Sequence, residues 1–130
     1  MLSIIKRQIK RVINRFKYWR YKREIKNLGG SVNGKVRLHV EGEFSFGQGL
    51  ILNAQGIDTT SVSQISVRKG AKLSFGNFSG ISSTAIACTN EITIGNYVNI
   101  GAGCLIMDSN FHNILVIALS SVLVPLYVKE

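Results

Sequence analysis

Residues 92–106 carry an unusual alternation of apolar and small residues. Aliphatic side chains recur at every sixth position, at Ile94, Ile100 and Ile106. A second register lies two residues earlier, at Ile92, Val98 and Cys104. Glycine follows directly at Gly95 and Gly101. Neither the period of a helix nor that of a plain strand generates a sixfold recurrence. The pattern predicts a chain that runs straight for a few residues, turns a corner and repeats. The aliphatic residues then point inward, and glycine takes the tight backbone at the corner. This is the hexapeptide pattern of a parallel β-helix.

Upstream, strand-like pieces punctuated by glycine extend the pattern back to Ser31. Residues 36–40, 44–47 and 65–76 are the clearest. Leu73-Ser74-Phe75-Gly76 has the same form as Ile92-Thr93-Ile94-Gly95. Roughly four coils are expected before His112, with phenylalanines filling inward slots in the irregular first ones.

The N-terminal residues follow a different period. Leu2, Ile5, Ile9, Val12, Ile13, Phe16 and Trp19 recur at steps of three and four. They predict an amphipathic helix over residues 2–26, stopped by Gly29-Gly30. The chain thus divides into a basic amphipathic helix (1–28), a β-helix of hexapeptide repeats (29–112) and an apolar tail of atypical sequence (113–130). The tail is short for a membrane span. An extra strand or a helix over the open end of the repeat are its alternatives.

A motif sits where the repeat ends. The run I-T-I-G-N-Y-V-N-I-G-A-G-C-L-I-M-D-S-N-F-H, residues 92–112, resembles the left-handed β-helix acyltransferases. It is most similar to bacterial enzymes that O-acetylate sugars of capsule, lipopolysaccharide and related surface glycans. The resemblance is specific over residues 70–112 and looser over 31–69. It implies a mainly β fold, a left-handed parallel β-helix preceded by the amphipathic helix. Coils in that family take about eighteen residues. The nineteen-residue step between Leu73 and Ile92 therefore implies a bulge, expected near residues 87–90.

The resemblance also implies chemistry. His112 matches the family's general base, and histidine suits that role because its pKa lies near working pH. Asp108 and Asn110 match the neighbouring polar positions that orient the imidazole or bind acceptor hydroxyls. Both residue types are also common at corners for purely conformational reasons. The expected partners are acetyl-CoA as co-substrate, a sugar or glycan acceptor, and two further copies of the chain in a homotrimer. No tightly held cofactor is expected, and the residues of the acyl-CoA site are not assigned. After His112 the repeat stops, so the chain reads as a portion lacking the further coils that carry much of the family's acyl-CoA site. A non-enzymatic remnant or a membrane-associated binding module is the rival reading.

Charge sharpens the division of the chain. The net charge is +9. Residues 1–26 hold ten Lys or Arg and a single acid, Glu24, whereas the rest of the chain is balanced. A nucleic-acid surface would spread its charge over the folded body, so nucleic acid is not an expected partner. An anionic membrane surface competes with packing against the repeat for the helix. Cys88 and Cys104 read as reduced core residues, which suits a cytoplasmic protein, peripheral on the inner face of the membrane if the helix binds there. His39 and His112 are too few for a three-histidine zinc site, and no metal is expected. His39, in an early strand, reads as a structural or solvent-facing residue.

Overall fold

In the computed structural model, residues 1–54 and 61–109 and the backbone of residues 127–129 are described. One helix, α1 (Leu2–Asn27), precedes twelve short strands. These are β1 (Ser31–Asn33), β2 (Val36–Val40), β3 (Glu43–Phe46), β4 (Ile51–Asn53), β5 (Ser63–Val67) and β6 (Lys72–Phe75). Then come β7 (Gly80–Ser82), β8 (Ala85–Cys88), β9 (Glu91–Ile94), β10 (Asn99–Ile100), β11 (Leu105–Met107) and β12 (Tyr127–Lys129).

The strands fall into three sheets, in the orders β1-β4-β7-β10, β2-β5-β8-β11 and β3-β6-β9-β12. Up to β11, every strand pairs in parallel with the strand three elements away. A chain that visits three sheets in rotation and returns to each in parallel is compatible with a parallel β-helix. The fold is mainly β with one N-terminal helix. The expected pairing of Leu73 with Ile92 and of Phe75 with Ile94 is present.

The core is a column of inward side chains. Phe75, Ile81, Cys88, Ile94, Ile100 and Ile106 are all buried. Successive members are six residues apart except between Ile81 and Cys88, where the step is seven. Between those two residues the chain turns the β7–β8 corner, where Ser83 adopts a φ of 46°. Of the second register, Ile92 is buried, while Val98 and Cys104 are partly buried and pack against the core. Both cysteines are free thiols.

Apart from the Ser83 hydroxyl, which is buried with no hydrogen-bond partner, polar groups enter this core with partners. The Ser63 hydroxyl donates to the Asn53 carbonyl at 2.7 Å and accepts from the Thr84 N–H at 3.1 Å. Thr84 in turn donates to the Gly101 carbonyl at 3.0 Å. Ser79 links the Gly95 carbonyl, at 2.6 Å, to the Val98 N–H, at 3.0 Å. Each hydroxyl bridges successive windings and satisfies backbone groups that burial would otherwise strand.

The corners correct the expected role of glycine. Among the described residues, left-handed φ occurs not at Gly95 or Gly101 but two residues later, at Tyr97 (57°) and Gly103 (80°). Gly49 (69°) and Phe78 (56°) hold the equivalent places after Gly47 and Gly76. The leading glycines serve a different need where a winding lies above them. A Cβ on Gly47 would strike the Asn77 side-chain oxygen, and one on Gly76 that of Asn96. Those oxygens accept the N–H groups of Gln48, at 2.9 Å, and Asn77, at 2.7 Å. An asparagine in each winding thus caps the corner of the winding before it. Phe78 and Tyr97 stack face to face beside this ladder, with ring centroids 5.5 Å apart.

Helix α1 ends in a Schellman-type cap. Gly29, with φ of 81°, donates to the Lys26 carbonyl at 3.1 Å, and Gly30 donates to the Ile25 carbonyl at 2.8 Å. Tyr21 and Ile25 are the helix's buried residues. Tyr21 packs on Phe44 (5.3 Å between centroids), which meets Phe75 (6.1 Å). The helix therefore sits on the first winding through its last turns, with Lys17 Nζ donating to the Val40 carbonyl at 3.0 Å. The predicted apolar stripe, Leu2 to Trp19, makes no part of this contact and is exposed. No helix among the described residues is long and apolar enough to cross a membrane.

The column sets the stability of the fold. Truncating Ile92 to alanine is expected to destabilise by about 2–5 kcal/mol, measured by urea denaturation. Ile100→Asp, which buries a charge with no partner, is expected to abolish the cooperative transition.

Candidate functional site

The motif that ends the repeat begins on β11. Its first residue, Asp108, follows Met107, which is in register with Ala87 of β8. Asp108 accordingly lies above Cys88, one winding on, and its carboxylate reaches the β8–β9 corner. One oxygen accepts from the Thr89 N–H at 2.7 Å and from the Thr89 hydroxyl at 2.8 Å. The other accepts from the Asn90 N–H at 2.7 Å. The carboxylate does for this corner what Asn77 and Asn96 do for another.

Burial alone would push the Asp108 carboxyl up. The donors on Thr89, Asn90 and Glu91 outweigh it and hold the group below the usual carboxylate range. The Cys88 thiol lies 3.8 Å from the same carboxylate and 3.2 Å from the Lys72 carbonyl. Burial, reinforced by the negative charge of Asp108, pushes this thiol up to about 11. Cys88 is therefore a neutral thiol at physiological pH and not a ready nucleophile.

A shallow groove opens on the outer face of the second sheet beside this corner. Ser66, Arg68, Ala87, Thr89, Met107 and Ser109 line it, together with Cys88. Its floor follows from the register, since His39, Ser66, Ala87 and Met107 are neighbours across four strands and point to the same side. Ser66 and Arg68 also line an adjoining depression with His39, Glu41 and Lys69. His39 Nε2 lies 3.2 Å from Glu41 Oε1, and both side chains are substantially exposed. The outer face is thus one shelf with a histidine–glutamate pair at one end, Arg68 in the middle and the Asp108 corner at the other.

Of the residues picked out from the sequence, Asp108 is placed at the rim of this groove with both oxygens bonded to the protein. Asn110 and His112 lie outside the described residues. The His39–Glu41 pair was passed over in the sequence, although side chains two apart along an extended chain share a face. Among the described residues no group of three or more His, Cys, Asp or Glu side chains could hold a metal ion. Comparison with protein-family profiles, with curated proteins and with solved structures finds no match to this chain.

The Asp108 clamp has a pH signature. Its folded pKa is depressed, so its stabilisation is fully present above the unfolded value of about 3.9 and is lost as pH falls through the folded pKa. Asp108→Asn places an amide NH2 against backbone donors and is expected to cost about 1.5–3 kcal/mol at neutral pH. That difference should shrink under acid, as denaturant titrations of both proteins at neutral pH and below the folded pKa would show. A pH-independent difference would mean that the charge of Asp108 is not what holds the corner.

Proposed function

We propose that this chain is an acetyl-CoA-dependent O-acetyltransferase of the hexapeptide type, wound as a left-handed β-helix and acting on a sugar hydroxyl of a surface glycan. The observation that carries the reading is the junction at Asp108. A column in sixfold register runs up to Ile106, and the D-S-N-F-H sequence follows at once from an aspartate clamped to the preceding winding. A fixed departure point is what a catalytic loop needs, since a misplaced base loses most of its advantage.

In this reading His112 accepts the proton of the sugar hydroxyl as its oxygen attacks the thioester carbonyl. The tetrahedral intermediate collapses to the sugar ester, and the proton passes to the departing CoA thiolate. Asn110 orients the imidazole or the acceptor. Asp108 contributes by anchoring the segment, because its oxygens are already engaged. A homotrimer encloses the groove between neighbouring copies.

One observation favours a non-enzymatic binding module instead. Strand β12 lies antiparallel on β9, pairing Tyr127 with Thr93 and Lys129 with Glu91. That edge is the one a further parallel winding would use. A chain whose tail holds this edge has no place there for the coils that carry much of the acyl-CoA site in the family it resembles.

Acetyl transfer to glycan hydroxyls, followed with radiolabelled acetyl-CoA, separates the two. His112→Ala is expected to lower the rate by about 10² to 10⁴ while changing acetyl-CoA affinity much less. Absence of both transfer and acetyl-CoA binding in the intact chain would overturn the enzymatic reading in favour of the binding module.

A further inference from the structure

Helix α1 has two faces with different fates. Asn14, Lys17, Tyr18, Tyr21 and Ile25 recur at steps of three and four and are the shielded positions along it, joined by Lys22. This face meets the first winding. The apolar stripe of Leu2, Ile5, Ile9, Val12, Phe16 and Trp19 lies on the other side. Ile25 and Phe16 are nine residues apart, as are Tyr21 and Val12, and nine residues are about two and a half helical turns. The exposures agree, with Ile25 at 0% and Phe16 at 71%. The stripe therefore points away from the body that carries the helix. It ends at Trp19, because Arg20 and Arg23 take the next positions on that side.

We propose that this stripe lies in the headgroup region of a bilayer rich in anionic phospholipid, holding the β body on the membrane surface. The charge of the helix selects this occupant. All the basic residues of residues 1–23 are uncompensated, because no acid precedes Glu24. Lys6 and Lys10 border one side of the stripe and Arg15 the other. A second copy of the helix would offer the same spacing of apolar residues. It would also bring cation against cation with no carboxylate to pair them, so self-association lacks the charge complement that phosphate supplies. Trp19 stands at the end of the stripe, with Lys22 Nζ 5.4 Å from its ring centroid, an amphipathic group suited to the water–lipid boundary. The helix lies along the surface, since it is not apolar enough to cross. The proposal is independent of the acetyltransferase reading.

Trp19 is the chain's single tryptophan, so its fluorescence reports on the stripe alone. The intact chain is mixed with vesicles of phosphatidylcholine or of phosphatidylcholine containing phosphatidylglycerol, then sedimented. Expected are a blue shift and co-sedimentation with the anionic vesicles only. Affinity should fall at least about tenfold between about 0.1 and 1 M salt, over which the Debye length shrinks from about 10 to 3 Å. The exposed double substitution Ile9→Glu with Phe16→Glu should abolish both signals and leave the circular dichroism of the body unchanged. Equal binding to neutral vesicles, or binding that survives the double substitution, would overturn the proposal. So would absence of vesicle binding together with an oligomer, seen in sedimentation velocity, that the double substitution dissociates; the stripe would then belong to a second copy.

Discussion

Everything in this molecule depends on one requirement: each winding must place its inward side chain on the one beneath while its backbone pairs with the same neighbour. The stacked sets Leu52–Ile81–Ile100, Ile65–Ile86–Ile106 and Leu73–Ile92 meet the first condition, and the parallel registers meet the second. The two conditions are coupled. A slip of one residue would turn every inward side chain out. Corners such as β7–β8, where Ser83 takes a φ of 46°, lie outside the strands and leave the registers of β7 and β8 intact.

Corners are the weak points of such a winding, since backbone donors there have no strand to pair with. The chain answers with side chains from the next winding, Asn77 and Asn96 at one corner and Asp108 at another. The aspartate differs in carrying charge, and that charge also raises the thiol beneath it. Chemistry near the motif and stability of the corner are therefore not separable at this residue.

How far the sequence revealed this follows from the range of each interaction. The inward register was legible because a sixfold recurrence is a local pattern, and so was the helix. The corner interactions were not. The partner of Asp108 lies a full winding back, at Thr89 and Asn90, and no spacing rule points there. Glycine misled at Gly76 for the same reason: its smallness serves an asparagine from the following winding, while an aromatic residue, Phe78, takes the left-handed position. The helix presented its apolar stripe in sequence but docks through Tyr21 and Ile25, because only its last turns reach the first winding. At the candidate site, Asp108 was found and its bonding was not, while the His39–Glu41 pair was passed over because its setting on the shared outer face arises only once four strands align.

The reversal of β12 bears on how this protein behaves at high concentration. A sheet of parallel strands ending in an open strand is a template, and a second molecule adding its own first strand in the same direction could extend it without limit into a fibre. On β9 that template is closed by a strand running the other way. At the opposite end, α1 rests Tyr21 and Ile25 on the first winding. The strand on β9 and the helix on the first winding thus each blunt one route to end-to-end polymerisation, a hazard that any winding fold acquires from the same regularity that makes it stable.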